Sequence, residues 1–167
     1  MQLVGLGNAA SNYLTAFASE LANHVATVPD AVYVAAGEVP WDGEALVLSL
    51  GAIAQGVPGR GAAQSFRTAE ETISVATFHV ELIRTVSTAG YMGGPLGLPS
   101  EWAMDNEGVD ALNDAGAMTY TAIILKGQGV PVALGVDYSI GSCVPIGPNG
   151  GLAAMRLELV ISIDGAP

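Results

Sequence analysis

Cysteine, positive charge and aromatic side chains are all scarce in this 167-residue sequence, and each shortage excludes something. The single cysteine, Cys143, leaves no partner for an internal disulfide and no cysteine-only metal site. It falls in a strand-like run, where a buried thiol behaves as a small apolar residue. A catalytic thiol needs a base beside it, and the only histidines are His24 and His79. Five basic residues, Arg60, Arg67, Arg84, Lys126 and Arg156, face 16 Asp and Glu, for a formal net charge of −11. Phosphate backbones are held by clustered Lys and Arg. With no such cluster, specific binding of nucleic acid is not expected. An acidic surface repels DNA, which suits a wall along which DNA slides. Aromatic residues, at 6%, are too thin for a sugar-binding cleft. No apolar run approaches the roughly 20 residues that cross a bilayer. The first residues, Met1-Gln2-Leu3-Val4, lack the basic start and apolar core of a secretion signal. The expectation is a chain made in the cytoplasm, with no membrane segment.

Only 13% of the residues are charged while 50% are hydrophobic. The charged share is about half that of an ordinary soluble domain. Either other subunits cover much of the surface, or Ser, Thr, Asn and Gly solvate it. The length fits one domain over residues 1–167 with a sizeable core.

Residues 8–28 carry Tyr13, Leu14, Phe17, Leu21, Val25 and Val28 at helical spacing, stopped by Pro29. Strands are expected at 32–36 and 45–53, joined by the turn Pro40-Trp41-Asp42-Gly43 as an antiparallel hairpin. A third strand, 73–84, alternates cleanly. Ala76, Phe78, Val80 and Leu82 share a core-like face, and His79 and Glu81 sit at the centre of the other. A second helix is expected from about Ser100 to Lys126, with Val109, Leu112, Gly116, Tyr120, Ile123 and Ile124 on its inner face. Strands at 138–146 and 152–163 flank the turn signal Pro148-Asn149-Gly150-Gly151. The order α-β-β-β-α-β-β predicts an α+β fold: a mostly antiparallel sheet with two helices packed on one face. Residues 1–9 are expected to be a flexible N-terminal arm, and 54–72 a long interface loop.

Candidate chemistry is sparse. Gly5-Leu6-Gly7-Asn8-Ala9-Ala10 matches a dinucleotide fingerprint, but too little chain precedes it for a central strand. Gly56-Val57-Pro58-Gly59-Arg60-Gly61 lacks the Gly-Lys-Ser/Thr of a phosphate loop. Arg60 and Arg67 place scarce positive charge in that loop, where an acidic surface on a neighbouring copy would attract them. His79 and Glu81 have no identifiable third metal ligand. Asp105, Glu107, Asp110 and Asp114 lack calcium-loop spacing. Trp41 and Trp102 either seal the core's edge or anchor an interface. No catalytic, cofactor-binding or metal residues are therefore assigned. The interface candidates are Arg60, Arg67, Trp41, His79, Glu81 and Trp102.

The run Val32-Tyr33-Val34-Ala35-Ala36-Gly37-Glu38-Val39-Pro40-Trp41-Asp42 resembles the tail terminator proteins of long-tailed phages infecting actinobacteria. The resemblance continues through Leu46-Val47-Leu48, Gly56-Val57-Pro58-Gly59 and Phe78-His79-Val80-Glu81-Leu82-Ile83-Arg84. It covers residues 10–87; beyond them only the order of elements matches. It implies a non-enzymatic virion protein without cofactors, located at the head–tail junction and assembled in the host cytoplasm. Its implied state is a homo-hexameric ring on the last ring of tail-tube protein. That ring ends tube growth and joins the head-side connector, or stopper, while genomic DNA passes through the lumen. The alternatives are another head–tail joining component such as a stopper, a tail-tube subunit, or a small hydrolase using carboxylates such as Glu81 and Asp105.

Overall fold

The computed structural model describes residues 6–55, 74–86, 101–132 and 138–163. Their elements run α1 (Leu6–Leu21), β1 (Ala31–Ala35), β2 (Ala45–Gln55), β3 (Ser74–Thr85), α2 (Glu101–Gly127), β4 (Tyr138–Asn149) and β5 (Leu152–Ile163). The strands form one five-stranded sheet in the order β1-β2-β3-β5-β4. Arg60, Arg67 and most of the expected interface loop lie outside the described residues, although Ala54 and Gln55 belong to β2. The helix starts at Leu6, so residues 6–9 of the expected arm are helical. No described helix is long and apolar enough to cross a membrane.

Alternation decides which side of the sheet is dry. Leu46 and Leu48 of β2, Phe78, Val80 and Leu82 of β3, and Leu157, Leu159 and Ile161 of β5 share one face. Both helices pack there: Tyr13, Leu14, Phe17 and Leu21 from α1, and Met118, Ala122 and Leu125 from α2. This is the expected α+β arrangement. A smaller apolar cluster on the opposite face joins Val39, Ala45, Val47, Ile83 and Ala154.

Three local expectations are corrected. β1 pairs with β2 in parallel, Ala31 opposite Ala45 through Ala35 opposite Ser49, and not as a hairpin. The connecting residues 36–44 run back along the sheet, a distance nine extended residues span easily. Val39 and Trp41 tie that connection to the smaller apolar cluster. The turn-like residues thus belong to a crossover rather than to a tight reversal.

Second, α1 ends at Leu21, well before Pro29. The His24 amide donates to the Leu21 carbonyl at 2.8 Å, and the Val25 amide to the same carbonyl at 3.1 Å. Val25 and Val28 still pack on the core from the irregular chain that follows, which prolongs the apolar spacing past the helix.

Third, α2 buries the side opposite to the one expected. Val109, Leu112, Tyr120 and Ile123 are 56, 75, 54 and 52% exposed. The inner side is made of Ala117, Met118, Ala122 and Leu125, flanked by Ala111 and Ala115. Small side chains let this helix lie close to its neighbours, and the larger apolar ones are left facing out.

Candidate functional site

Polar side chains collect on the face of the sheet without helices. Strand register sets them side by side: Ser49 of β2 lies opposite His79 of β3, His79 opposite Glu158 of β5, and Glu81 opposite Arg156. The crossover after β1 overhangs this strip and adds Glu38 and Trp41. Together Glu38, Trp41, Ser49, His79, Glu81 and Arg156 line a cleft of about 630 Å³.

Three strand or turn glycines make room for these side chains. A Cβ on Gly51 would come within 2.6 Å of the His79 ring. One on Gly141 would meet Glu158 Oε1 at 2.9 Å, and one on Gly147 would meet Trp41 at 3.0 Å. Glycine inside a strand often marks such a close approach.

Glu81 is the unusual member. It is 1% exposed, on the floor of the cleft. Arg156 Nε donates to Glu81 Oε1 at 2.7 Å, and Arg156 Nη2 reaches the same oxygen at 2.7 Å. The other oxygen, Oε2, is buried with no hydrogen-bond partner. A carboxylate withdrawn from water ordinarily satisfies both oxygens, because each unmet acceptor carries a desolvation penalty.

The surroundings shift other groups. Burial, and then the Arg156 charge, push the His79 imidazole below the ordinary histidine range; Glu158 and Glu81 pull the other way but lose. His79 is therefore neutral at pH 7. Burial raises the Tyr33 phenol, helped by the Asp42 and Glu81 charges. Burial also raises the Cys143 thiol, which keeps it protonated and unreactive at neutral pH.

The His79 shift has a measurable consequence. The unfolded chain takes up a proton near pH 6.5 that the folded chain resists. Stability should be complete above that pH and fall as pH drops from about 6.5 toward the lowered folded value. Urea melts across pH 5–7.5 should show this slope, and His79→Gln should flatten it.

Of the residues singled out in the sequence, Trp41, His79 and Glu81 come together at this one cleft. Trp102 lies on α2, which packs on the other face, and Arg60 and Arg67 lie outside the described residues. Glu81 lies on the helix-free face of β3, whereas Asp105 belongs to α2, which packs on the other face. Ser49, Arg156 and Glu158 were legible only as the polar sides of their strands. Gly51 and Gly141 were the signal that something lay against them. Among the described residues no group of three or more His, Cys, Asp or Glu is placed to hold a metal ion.

A second concavity, of about 660 Å³, lies between α2, the turn after α1 and one end of the sheet. Its cation, Arg84, is already committed to Asp114 through two bonds of 3.1 and 3.2 Å and to Thr27 at 3.2 Å.

These features define an α+β protein with a mixed sheet, helices on one face and a polar cleft on the other. No protein-family model matches the sequence, and no curated protein does. Among solved structures, a chain from the virion of a native gene transfer agent particle aligns with 94% of this chain and 93% of its own. The identity is 16% and the TM-score 0.45. Values that low leave the function to be argued from the residues.

Proposed function

We propose that this chain is a structural virion protein of the tail terminator type. It forms a homo-hexameric ring on the tail tube, ends tube growth and meets the head-side connector, while genomic DNA passes through its acidic lumen without specific binding. The observation that carries the reading is apolar surface left uncovered on a single chain: Val109, Leu112, Tyr120 and Ile123 along α2, with Val32 and Val34 on the edge strand β1. The stripe along α2 and the two valines of β1 are separate patches, and exposed apolar surface of this kind marks interaction sites. A chain that is 13% charged has little else with which to cover it. The resemblance of residues 10–87 to tail terminators, and a net charge of −11 that keeps DNA from adhering, support the same role.

Native mass measurement with electron microscopy, on the protein alone and with tail-tube protein, tests the reading. Closed six-fold rings are the expected result. Open-ended tubes would replace it with a tube subunit. A monomer that stays monomeric beside assembled tail tube would overturn it.

The arginines of the 54–72 loop offer a second test. Arg60→Glu with Arg67→Glu should slow ring assembly roughly 10-fold through lost attraction to an acidic neighbour, with the unfolding midpoint unchanged. Equal assembly rates by light scattering would remove these residues from the interface.

A further inference from the structure

We propose that α2 pairs antiparallel with α2 of a second copy of this chain, about a two-fold axis at Gly116, burying the stripe Val109, Leu112, Tyr120 and Ile123. The pairing does not rest on the ring reading. A two-fold contact closes at two copies, so it belongs to the free chain and is not the contact that would run round a ring.

Spacing singles out this partner. On the outer side of α2, Val109 and Leu112 stand seven and four residues before Gly116, and Tyr120 and Ile123 stand four and seven after it. At about 100° per residue the five positions fall within an arc of about 80°. That arc lies opposite the side on which Ala117, Met118, Ala122 and Leu125 join the core. The stripe is thus symmetric about its centre. Reversing a second copy sets Val109 against Ile123 of that copy and Leu112 against its Tyr120. A slip of one turn either way leaves an apolar end uncovered on each helix.

Gly116 marks the crossing point. It is exposed, and a Cβ built on it would meet nothing within 4 Å. Packing inside the chain therefore does not require glycine there, although glycine within a helix costs roughly 1 kcal/mol relative to alanine. Bare backbone at the centre of the stripe lets a second helix approach closely.

Charge selects the direction. The first half of α2 carries Glu107, Asp110 and Asp114, whereas the stretch from Ala115 to Gly127 carries Lys126 and no acid. A parallel pair would set two acidic halves side by side. An antiparallel pair sets each acidic half beside the half with Lys126, and opposes the two helix dipoles.

Tyr120 is held in place by its own chain. Its ring stands nearly perpendicular to that of His24, with centroids 5.1 Å apart, and His24 Nε2 lies 2.9 Å from Glu20 Oε1. An exposed tyrosine already fixed loses little freedom on docking, and tyrosine is enriched at the centres of interfaces. Four side chains along about 21 Å of helix make a small interface, of the class below about 1,200 Å² that dissociates readily.

The test uses the full chain carrying Cys143→Ala, so that the only thiols are those introduced. Single cysteines are placed by Val109→Cys, Gly116→Cys or Ile123→Cys, and a thiol cross-linker of about 10 Å matches the spacing of packed helices. Gly116→Cys chains should link to one another, with a yield half-maximal near about 50 µM. A mixture of V109C and I123C chains should link at least about fivefold more than either alone, because like positions lie about 21 Å apart in an antiparallel pair. Leu112→Asp, at a position 75% exposed, should cut the Gly116→Cys yield about tenfold and leave the unfolding midpoint in place. V109C and I123C chains that each link to themselves would mean a parallel pair and overturn the proposal. An undiminished yield with Leu112→Asp overturns it, as does linking no greater than that of Ser19→Cys on the exposed side of α1. Ring formation on tail tube is read separately by microscopy, and none of these failures touches it.

Discussion

An Arg156→Ala variant should lose about 3 kcal/mol of stability, the low end for breaking a buried ion pair. The low end applies because the Arg156 side chain is 36% exposed while that of Glu81 is 2% exposed. The substitution leaves a carboxylate buried beneath the cleft with neither oxygen satisfied. For a chain of this size the thermal midpoint should fall by roughly 6–12 °C. The cost lies in stranding the charge more than in losing an attraction. Glu81→Leu combined with Arg156→Met should therefore recover most of it, to within about 1 kcal/mol of wild type. Chemical denaturation of Glu81→Leu, Arg156→Met and the double variant closes the cycle. A double variant as unstable as Arg156→Ala would mean that the pair contributes more than mutual neutralisation.

The second large effect belongs to the dry face. Phe17 is fully buried between α1 and the sheet, with its ring 5.9 Å from that of Tyr13. Phe17→Ala removes both the apolar transfer and the packing around it, for an expected loss of about 3–5 kcal/mol. Leu112→Ala is the informative companion. Leu112 is 75% exposed, so the change should move monomer stability by less than about 0.5 kcal/mol. If α2 faces a neighbouring subunit, the same substitution should weaken assembly. The two substitutions then separate folding from association. A Leu112→Ala chain that unfolds early would place that side chain in the core.

Much of the fold was legible because period-2 and period-3.6 spacing survive in the sequence. β3 shows this most clearly: its core side, Ala76, Phe78, Val80 and Leu82, could be read residue by residue. Spacing carries no information about which strand lies beside which. The parallel pairing of β1 and β2 was hidden because Pro40-Trp41-Asp42-Gly43 has the chemistry of a tight turn. The parallel register shows that the segment crosses the sheet, with Val39 buried and Trp41 partly buried against the smaller apolar cluster.

α2 misled for another reason. Its inner side is largely alanine, so the larger apolar residues, read as core, point outward. At the cleft, Trp41, His79 and Glu81 could be picked out as polar or aromatic residues in unusual places. The burial of Glu81 could not, because its partner Arg156 stands 75 residues away and only register unites them.

That register also governs how the molecule is made. β3 lies against β5 along its whole length, Ser74 opposite Ile163 and Thr85 opposite Leu152, so the middle of the sheet is stitched from distant parts of the chain. During synthesis, at about 5–20 residues per second, α1 through β3 emerge well before the strand that completes them. Until Ile163 clears the ribosome, β3 has one unpaired edge, and the apolar side of the early strands waits for Leu157, Leu159 and Ile161. The nascent chain thus carries an open, sticky half-sheet for several seconds.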